Sequence, residues 1–202
     1  MALNTYTALK ASIADFLNRD DLTAVIPDFI TLAEAQINRD VRHWKMEARS
    51  SGQQTGGDEY MQIPADWVET IRLHLTATGT TVVNLISRDA MADKRSSAED
   101  VSGTPIYYTH ADGQFQLYPT PSEDTDFELL YYQKIPSLSS NSDNWLLLDS
   151  PDVYLYGSLL HSAPYLAEDE RVAIWAQMYS ASVARLNEAS ESARYSGSGL
   201  KL

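Results

Sequence analysis

Residues 149–187 constrain the fold most strongly, because they have the pattern of two successive helices with clear start signals. Asp149 or Ser150 can cap the first helix, Pro151 suits its first helical position, and Asp152 falls in its first turn. A helix N-terminus has free N–H groups that need acceptors and a dipole that favours negative charge. The segment therefore predicts helices that pack against another part of the protein or against a neighbour.

The second of these helices carries a regular apolar stripe. Pro164 separates it from the first or kinks the junction, and the helix is predicted from about Glu168. Its apolar residues recur every three or four positions, which places them on one helix face. They are Val172, Trp175, Tyr179, Val183 and Leu186. We expect Trp175, at the centre of the stripe, to be buried in the core of its own subunit.

Two amphipathic helices are also predicted near the N-terminus. The first begins at Thr5 or Thr7 and ends near Asn18. The second begins around Pro27 and keeps its apolar stripe as far as Val41. Both have apolar residues at helical spacing and polar residues between them, which is typical of helices that bury one face.

The pattern changes to strands after Trp44. Alternating or β-branched residues predict strands, and Asp112-Gly113 predicts a tight hairpin turn because positive φ is wanted there. The predicted strands are 68–75, 81–86, 126–135 and the two arms of a hairpin over 106–118. Ser87 is predicted to cap a short helix through Arg95, and residues 52–59 and 138–144 are predicted loops.

The order of helices, strands and helices predicts an α+β fold. In this prediction the N- and C-terminal helices form a helical bundle, and a central antiparallel β-rich insertion is carried on it. The predicted divisions are N-terminal helices in 1–45, the insertion in 46–150, C-terminal helices in 151–195 and a mobile tail in 196–202.

The net charge of −13 is concentrated in the middle of the chain. Residues 46–150 hold six basic and sixteen acidic residues, a balance of −10. Tight binding of phosphate needs clustered Lys and Arg, and no such cluster is visible. The acidity indicates either solubility or a surface that must lie near DNA without binding it.

No grouping of residues indicates catalysis, a cofactor or a metal. The chain has no cysteine, and its four histidines have no partner at metal-ligand spacing. The glycines of residues 52–57 lack the Lys-Ser or Lys-Thr of a phosphate-binding loop, and no G-x-S-x-G motif marks a nucleophile. No apolar run approaches the roughly 20 residues that cross a membrane, and no signal peptide is expected.

Tyrosine is the most frequent aromatic residue, with twelve Tyr against four Phe. Tyr suits half-buried positions and is enriched at protein interfaces. The tyrosines can cover the local core or contact another subunit, and the sequence leaves both possibilities open. Stacking on single-stranded nucleic acid would need a basic groove, which the local negative charge disfavours.

Four stretches, in order along the chain, resemble the head-to-tail adaptor proteins of tailed bacteriophages, also called connector or head completion proteins. The specificity lies in their order and spacing, since none is a catalytic signature. They are AEAQINRDVR (33–42), IPADWVETIRLHL (63–75), the run from PIYYTHADGQFQLYPTP (105–121) to LLYYQKIPSLS (129–139), and SPDVYLYGSLLHSAPYLAEDERVAIW (150–175).

The resemblance implies a structural virion protein at the head–tail junction, made in the host cytoplasm. Such adaptors join the portal protein to a tail nozzle or another tail protein as a ring, usually of twelve copies, through which DNA passes without specific binding. It implies no enzyme activity, cofactor or membrane partner, and it transfers no contact residues. From their residue types and positions we expect contacts with a neighbouring subunit or the portal at Tyr154, Tyr156, Tyr165, Tyr195, Leu200 and Leu202.

Two other functions remain open. One is a tail-completion protein or assembly chaperone. The other is a hydrolase of the cell envelope, which is suggested only by the number of acidic residues.

Overall fold

The chain folds as two units, one helical and one built on a large sheet. The computed structural model describes residues 3–76, 79–96, 101–166 and 170–195. The helical unit is formed from residues 1–46 and 134–202, and the sheet unit from residues 47–133. The sheet unit is thus inserted between the two sequence segments that build the helical unit.

The helical unit is organised around a short helix near its middle. Six α-helices are described, and all but the third lie in this unit. They are α1 (Tyr6–Leu17), α2 (Ile26–Asp40), α3 (Arg88–Ser96), α4 (Trp145–Asp149), α5 (Pro151–His161) and α6 (Arg171–Tyr195). Helix α5 contacts α1, α2, α4 and α6. A Cβ added at Gly157 would lie 3.2 Å from the Tyr179 ring and 3.4 Å from Ala33 Cβ, so glycine lets α5 approach both neighbours closely.

The local signals at the ends of the helices explain where they start and stop. The Thr5 hydroxyl accepts a hydrogen bond from Ala8 N at 3.2 Å, and Asn18 ends α1 in the left-handed conformation with φ of 52°. Ser87 caps α3 through Ala90 N at 3.2 Å. The predicted helices at these positions are confirmed.

The sheet unit contains nine described strands. They are β1 (Glu47–Gln54), β2 (Tyr60–Gln62), β3 (Trp67–Leu75), β4 (Thr81–Leu85), β5 (Ser102–Gly103), β6 (Tyr107–Ala111), β7 (Gln114–Tyr118), β8 (Thr120–Pro121) and β9 (Thr125–Gln133). Seven form one sheet in the order β1-β9-β3-β4-β6-β7-β2, and β5 pairs with β8. The predicted hairpin is confirmed as β6 and β7, with Asp112 and Gly113 both at positive φ.

The two edge strands of this sheet are neighbours in the chain. Only residues 55–59 separate the end of β1 from the start of β2. The side chain of Gln54 donates hydrogen bonds to Asp58 O at 2.8 Å and to Tyr60 O at 3.2 Å. The sheet therefore curls until its edges meet at this end.

One face of the curled sheet forms the core of the sheet unit. Leu73, Phe115 and Leu129 are at its centre and almost completely buried. They come from three different strands, and each alternates with more exposed neighbours on its own strand. Burying apolar surface of this kind is the dominant favourable contribution to folding.

The predicted fold class is wrong. The fold is mixed α/β and the large sheet dominates it, whereas the terminal helices do not form the expected bundle. These helices range from 5 to 25 residues and gather around the short α5, so they lack the matched lengths that a bundle needs.

The sheet is not antiparallel throughout. After β4 the chain passes through α3 and β5 and then begins β6 beside β4 in the same direction. A parallel pair needs a crossover of this kind, and the segment between β4 and β6 was predicted only as a short helix and a loop.

One strand overlaps a predicted loop, and one helix lies where no element was predicted. Strand β1 extends through Gly52 to Gln54 and pairs with β9 along its full length. A Cβ at Gly52 would lie 3.1 Å from the Phe127 ring, so this glycine makes room within the sheet instead of opening a loop. Helix α4 follows Asn144, which accepts a capping hydrogen bond from Leu147 N at 2.9 Å.

Candidate interaction surfaces

Tyr154 lies in the interior of the helical unit. Its side chain is 1% exposed, and its hydroxyl accepts a hydrogen bond from Asn144 Nδ2 at 2.7 Å. Burial raises the pKa of the Tyr154 hydroxyl, while the bond from Asn144 lowers it by a smaller amount. In this position the side chain packs within its own subunit and offers no surface to a partner.

Tyr165 is more accessible than Tyr154 and Tyr156, which were also expected to make contacts. Its side chain is 49% exposed, and its ring meets Phe29 edge-on with centroids 5.2 Å apart. Leu32, one helical turn after Phe29 on α2, is also half exposed. We call Leu32 and Tyr165 the Tyr165 patch. It combines an apolar surface with a hydroxyl, as at many protein interfaces.

The other expected contact residues lie on α5, at the end of α6 and in the C-terminal segment. Tyr156 on α5 is partly buried. Tyr195 is the last residue of α6. Leu200 and Leu202, with the predicted tail of 196–202, lie outside the described residues.

A second exposed apolar surface was not predicted. On α6, Trp175 is 5% exposed, which confirms that it is part of the core, whereas its neighbour Ile174 is 54% exposed. Met178, four residues later on the same side as Ile174, is 46% exposed. We call Ile174 and Met178 the α6 stripe. The sequence does contain a signal for this surface. Both residues are apolar, yet they fall outside the regular stripe that contains Trp175.

The α6 stripe lies near another exposed apolar residue. Arg171 lies about one turn before Ile174 on α6. It donates a hydrogen bond to the carbonyl of Phe16 at 3.1 Å. Phe16, at the end of α1, is itself half exposed. The guanidinium of Arg171 also lies over the Trp175 ring, 5.2 Å from its centroid. This end of α6 is therefore anchored while its apolar side chains still face solvent.

Side chains on α6 hold the segment that leads from α2 towards the sheet unit. The Tyr179 hydroxyl donates to Asp40 at 2.9 Å, and Asn187 bonds both Asp40 O and Arg42 N at 3.0 Å. The Ser190 hydroxyl accepts from Trp44 N at 2.9 Å. Burial raises the pKa of Tyr179, and the hydrogen bond to Asp40 adds to this effect.

An aromatic cluster surrounds His43 in the same segment. The His43 ring stacks on Trp145 with centroids 5.0 Å apart, and its Nδ1 accepts a hydrogen bond from Lys45 N at 3.2 Å. Lys45 in turn pairs with Asp149 at 2.5 Å. Burial lowers the pKa of His43, and the charge of Lys45 lowers it further. The ring is thus arranged to act as a neutral acceptor.

In the sheet unit, a groove runs between α3 and β6. Two adjoining cavities of about 350 and 440 Å³ share Arg88 and Thr109 in their walls. Arg88 Nε donates to His110 O at 2.9 Å, which fixes the direction of the guanidinium. Leu85 supplies an exposed apolar wall on one side. We call this feature the Arg88 groove.

An acidic loop lies at another edge of the sheet unit. Residues 122–124 connect β8 to β9, and Glu123 is exposed. The loop is held at several points, since Gly56 N donates to Asp124 at 2.9 Å and Thr125 Oγ1 donates to Glu123 O at 3.0 Å. We call it the Glu123 loop.

Within the described parts of the chain, no group of three or more His, Asp or Glu residues could hold a metal ion. Nor is any helix there both long and apolar enough to cross a membrane. The surfaces described above are suited to contact with another macromolecule. They consist of exposed apolar side chains and of charges held in fixed directions.

Comparison with known proteins gives one family. The profile of the SU10 adaptor protein family matches residues 4–200, which is nearly the whole chain. The match includes both the helical unit and the inserted sheet unit. No curated protein matches the chain at a significant level.

Proposed function

The chain belongs to the SU10 adaptor protein family, and from this premise we propose that it is a structural virion protein of a tailed bacteriophage. In this proposal it forms a ring, dodecameric as in the adaptors it resembles, at the head–tail junction. The ring joins the portal protein to a tail nozzle or another tail protein, and DNA passes through it. The role is structural and requires no cofactor.

The observation that carries this proposal is the family match across both units. The helical unit adds a physical reason for ring formation. A closed ring needs a heterologous interface, in which one surface meets a different surface of the next copy. The α6 stripe and the Tyr165 patch are two such surfaces, and each exposes large apolar side chains that a contact would bury.

The charge of the chain supports the passage of DNA without binding. Residues 46–150 have a balance of −10, and DNA is itself strongly negative. If part of this acidic region faces the channel, repulsion keeps the DNA from adhering to the wall. A basic lining would bind phosphates and slow the movement of DNA.

We propose that the C-terminal end contributes to binding the portal. Tyr195, Leu200 and Leu202 are the apolar residues available there, and Tyr156 and Tyr165 serve the contact between copies. Deleting residues 196–202 should weaken attachment to the portal and leave the thermal midpoint almost unchanged. A drop of many degrees would show that these residues stabilise the isolated subunit instead.

Electron microscopy of the protein mixed with its cognate portal is the decisive experiment. We expect rings seated on the portal vertex. No binding to the portal, together with normal tailed particles after deletion of the gene, would refute the adaptor role. Mass spectrometry of mature particles separates an adaptor, which is present, from an assembly chaperone, which is absent.

Variants of α6 test the interface between copies. Ile174→Asp with Met178→Asp should reduce ring formation, because it places charges where an apolar contact is proposed. Ser180→Asp is the matched control, since Ser180 is exposed on α6 but lies about 200° around the helix from Met178. Equal ring formation by both variants would exclude the α6 stripe from the interface.

A further inference from the structure

The charged residues that line the Arg88 groove are Arg88, Arg95 and Asp112, and helix α3 beside it carries Asp89 and Asp93 as well as its basic residues. Residues 46–150 hold six basic residues, and three of them, Arg88, Lys94 and Arg95, lie on the nine-residue helix α3. Arg95 is occupied, because it pairs with Glu59 and donates to Leu117 O at 2.8 Å. Lys94 lies over the Tyr107 ring at 4.4 Å. Arg88 is therefore the cation of α3 that is best placed to receive a partner.

The guanidinium of Arg88 is held in position but not neutralised. Its Nε is bonded to His110 O, and no carboxylate of the described residues pairs with it. Such a group can bind a carboxylate through its two remaining nitrogens with little loss of side-chain freedom. The apolar wall of Leu85 and Ile86 would cover the methylene groups of a bound acidic side chain.

The Glu123 loop has the complementary properties. In the described parts of the chain no basic side chain pairs with the Glu123 carboxylate, although the backbone around it is fixed. Gly57 N donates to Pro121 O at 2.8 Å, and Ser122 N donates to Gly103 O at 3.3 Å. A Cβ at Gly56 would lie only 2.7 Å from Glu123 Cα, which shows how closely the two backbones pack. A pre-ordered loop loses little entropy when it binds.

One molecule cannot join these two groups. Glu123 lines a small cavity with Thr81, the first residue of β4, whereas the Arg88 groove is lined by Leu85, the last residue of β4. Five residues of strand place these ends roughly 13 Å apart, and Arg88 lies beyond the second end. Two complementary groups at opposite ends of a rigid strand suit a head-to-tail contact between copies.

We propose that the Arg88 groove of one copy binds the Glu123 loop of the next copy. This inference rests on the proposed ring and names a contact within it. The carboxylate of Glu123 pairs with the guanidinium of Arg88, and repetition of the contact closes the ring through the sheet units. An exposed ion pair of this kind gives direction and specificity to an association, and it weakens as salt increases.

Charge exchange tests the contact. Arg88→Glu and Glu123→Arg should each weaken association by about tenfold or more, because each brings like charges together. An equimolar mixture of the two variants should associate as the unchanged protein does, since every contact again joins opposite charges. The variant with both substitutions should also recover. Arg72→Glu is the control, because Arg72 is an exposed arginine of β3 that does not line the groove.

Association is measured by native mass spectrometry and by electron microscopy on the portal, at low and high salt. Recovery in the mixture cannot arise from misfolded variants, so it would establish the contact. If both single variants form rings as the unchanged protein does, the contact is wrong while the adaptor role stands. If the unchanged protein forms no ring at all, the proposed function and this contact are both refuted.

Discussion

Asn144 donates a hydrogen bond of 2.7 Å to the buried hydroxyl of Tyr154, and the same side chain caps α4 through Leu147 N. Its amide also donates to Pro136 O at 2.8 Å. One side chain thus fixes the loop before α4, the start of α4 and the middle of α5. The bond from Asn144 gives the Tyr154 hydroxyl a partner in the core, so its burial leaves no unsatisfied polar group.

Tyr154→Phe should destabilise the protein by about 1–3 kcal/mol, because it leaves one buried N–H of Asn144 without an acceptor. Denaturation in urea measures the free energy of unfolding. Tyr165→Phe is the matched control and should change it by less than about 0.5 kcal/mol, since Tyr165 is half exposed. Equal effects of the two substitutions would contradict the interior position of Tyr154.

Trp175→Ala should cost roughly 3–5 kcal/mol of unfolding free energy, because it removes a large buried ring. Ile174→Ala, at the neighbouring exposed position, should cost little in the isolated subunit. The two variants can be compared by chemical denaturation followed by circular dichroism. A negligible cost at Trp175 would mean that this ring is not part of the core.

Three partly or fully buried histidines should make the protein less stable in weak acid. The pKa values of His43, His110 and His161 are all lowered, in each case mainly by burial. The unfolded chain therefore takes up protons first as the pH falls through about 6.5. The free energy of unfolding should be greatest above that pH and should decrease as the pH falls further.

His43→Phe tests the part of this effect that belongs to the aromatic cluster. Phenylalanine can keep the stacking on Trp145 but cannot take up a proton. Stability at neutral pH should decrease, because Lys45 N loses its acceptor, and the decline between pH 6.5 and 5 should become less steep. An unchanged slope would assign the acid sensitivity to other groups.

Gly56→Ala should destabilise the sheet unit and disturb the Glu123 loop, because the added Cβ would lie 2.7 Å from backbone that cannot easily move. Thermal unfolding measures the first effect and ring formation the second. A useful comparison is Gly113→Ala, where φ is +74° and no atom lies near the added Cβ. It should cost about 1 kcal/mol through backbone strain alone and should leave association unchanged.

The sequence patterns predicted the elements whose own residues show apolar spacing, helix caps or turn residues. Apolar spacing and caps located α1 and α2, and Asp112-Gly113 located the hairpin of β6 and β7. Strand β1 was missed because its sequence, EARSSGQQ, has no apolar alternation. It is a strand because β9 supplies partners along its whole length, which is a tertiary effect. The parallel pairing of β4 with β6 was missed for the same reason.

The interaction surfaces were harder to predict than the fold. Tyr154 and Tyr165 are the same residue type and lie close together in sequence, yet one is buried and the other is half exposed. The difference comes from tertiary packing, because Tyr154 lies on α5, which contacts α1, α2, α4 and α6, and Asn144 supplies a partner for its buried hydroxyl. The Arg88 groove likewise depends on packing between α3 and β6, which periodicity does not describe.

The register of β1 with β9 brings the two ends of the sheet unit together. Glu47 and Tyr132 are paired neighbours, so the 87 residues of the sheet unit begin and end side by side. Adjacent strand positions of this kind are only about 5 Å apart, a gap that a short turn can bridge. The sheet unit is thus an insertion whose two ends lie side by side. Removal or replacement of the sheet unit would therefore leave only a short gap to bridge between the flanking helical segments.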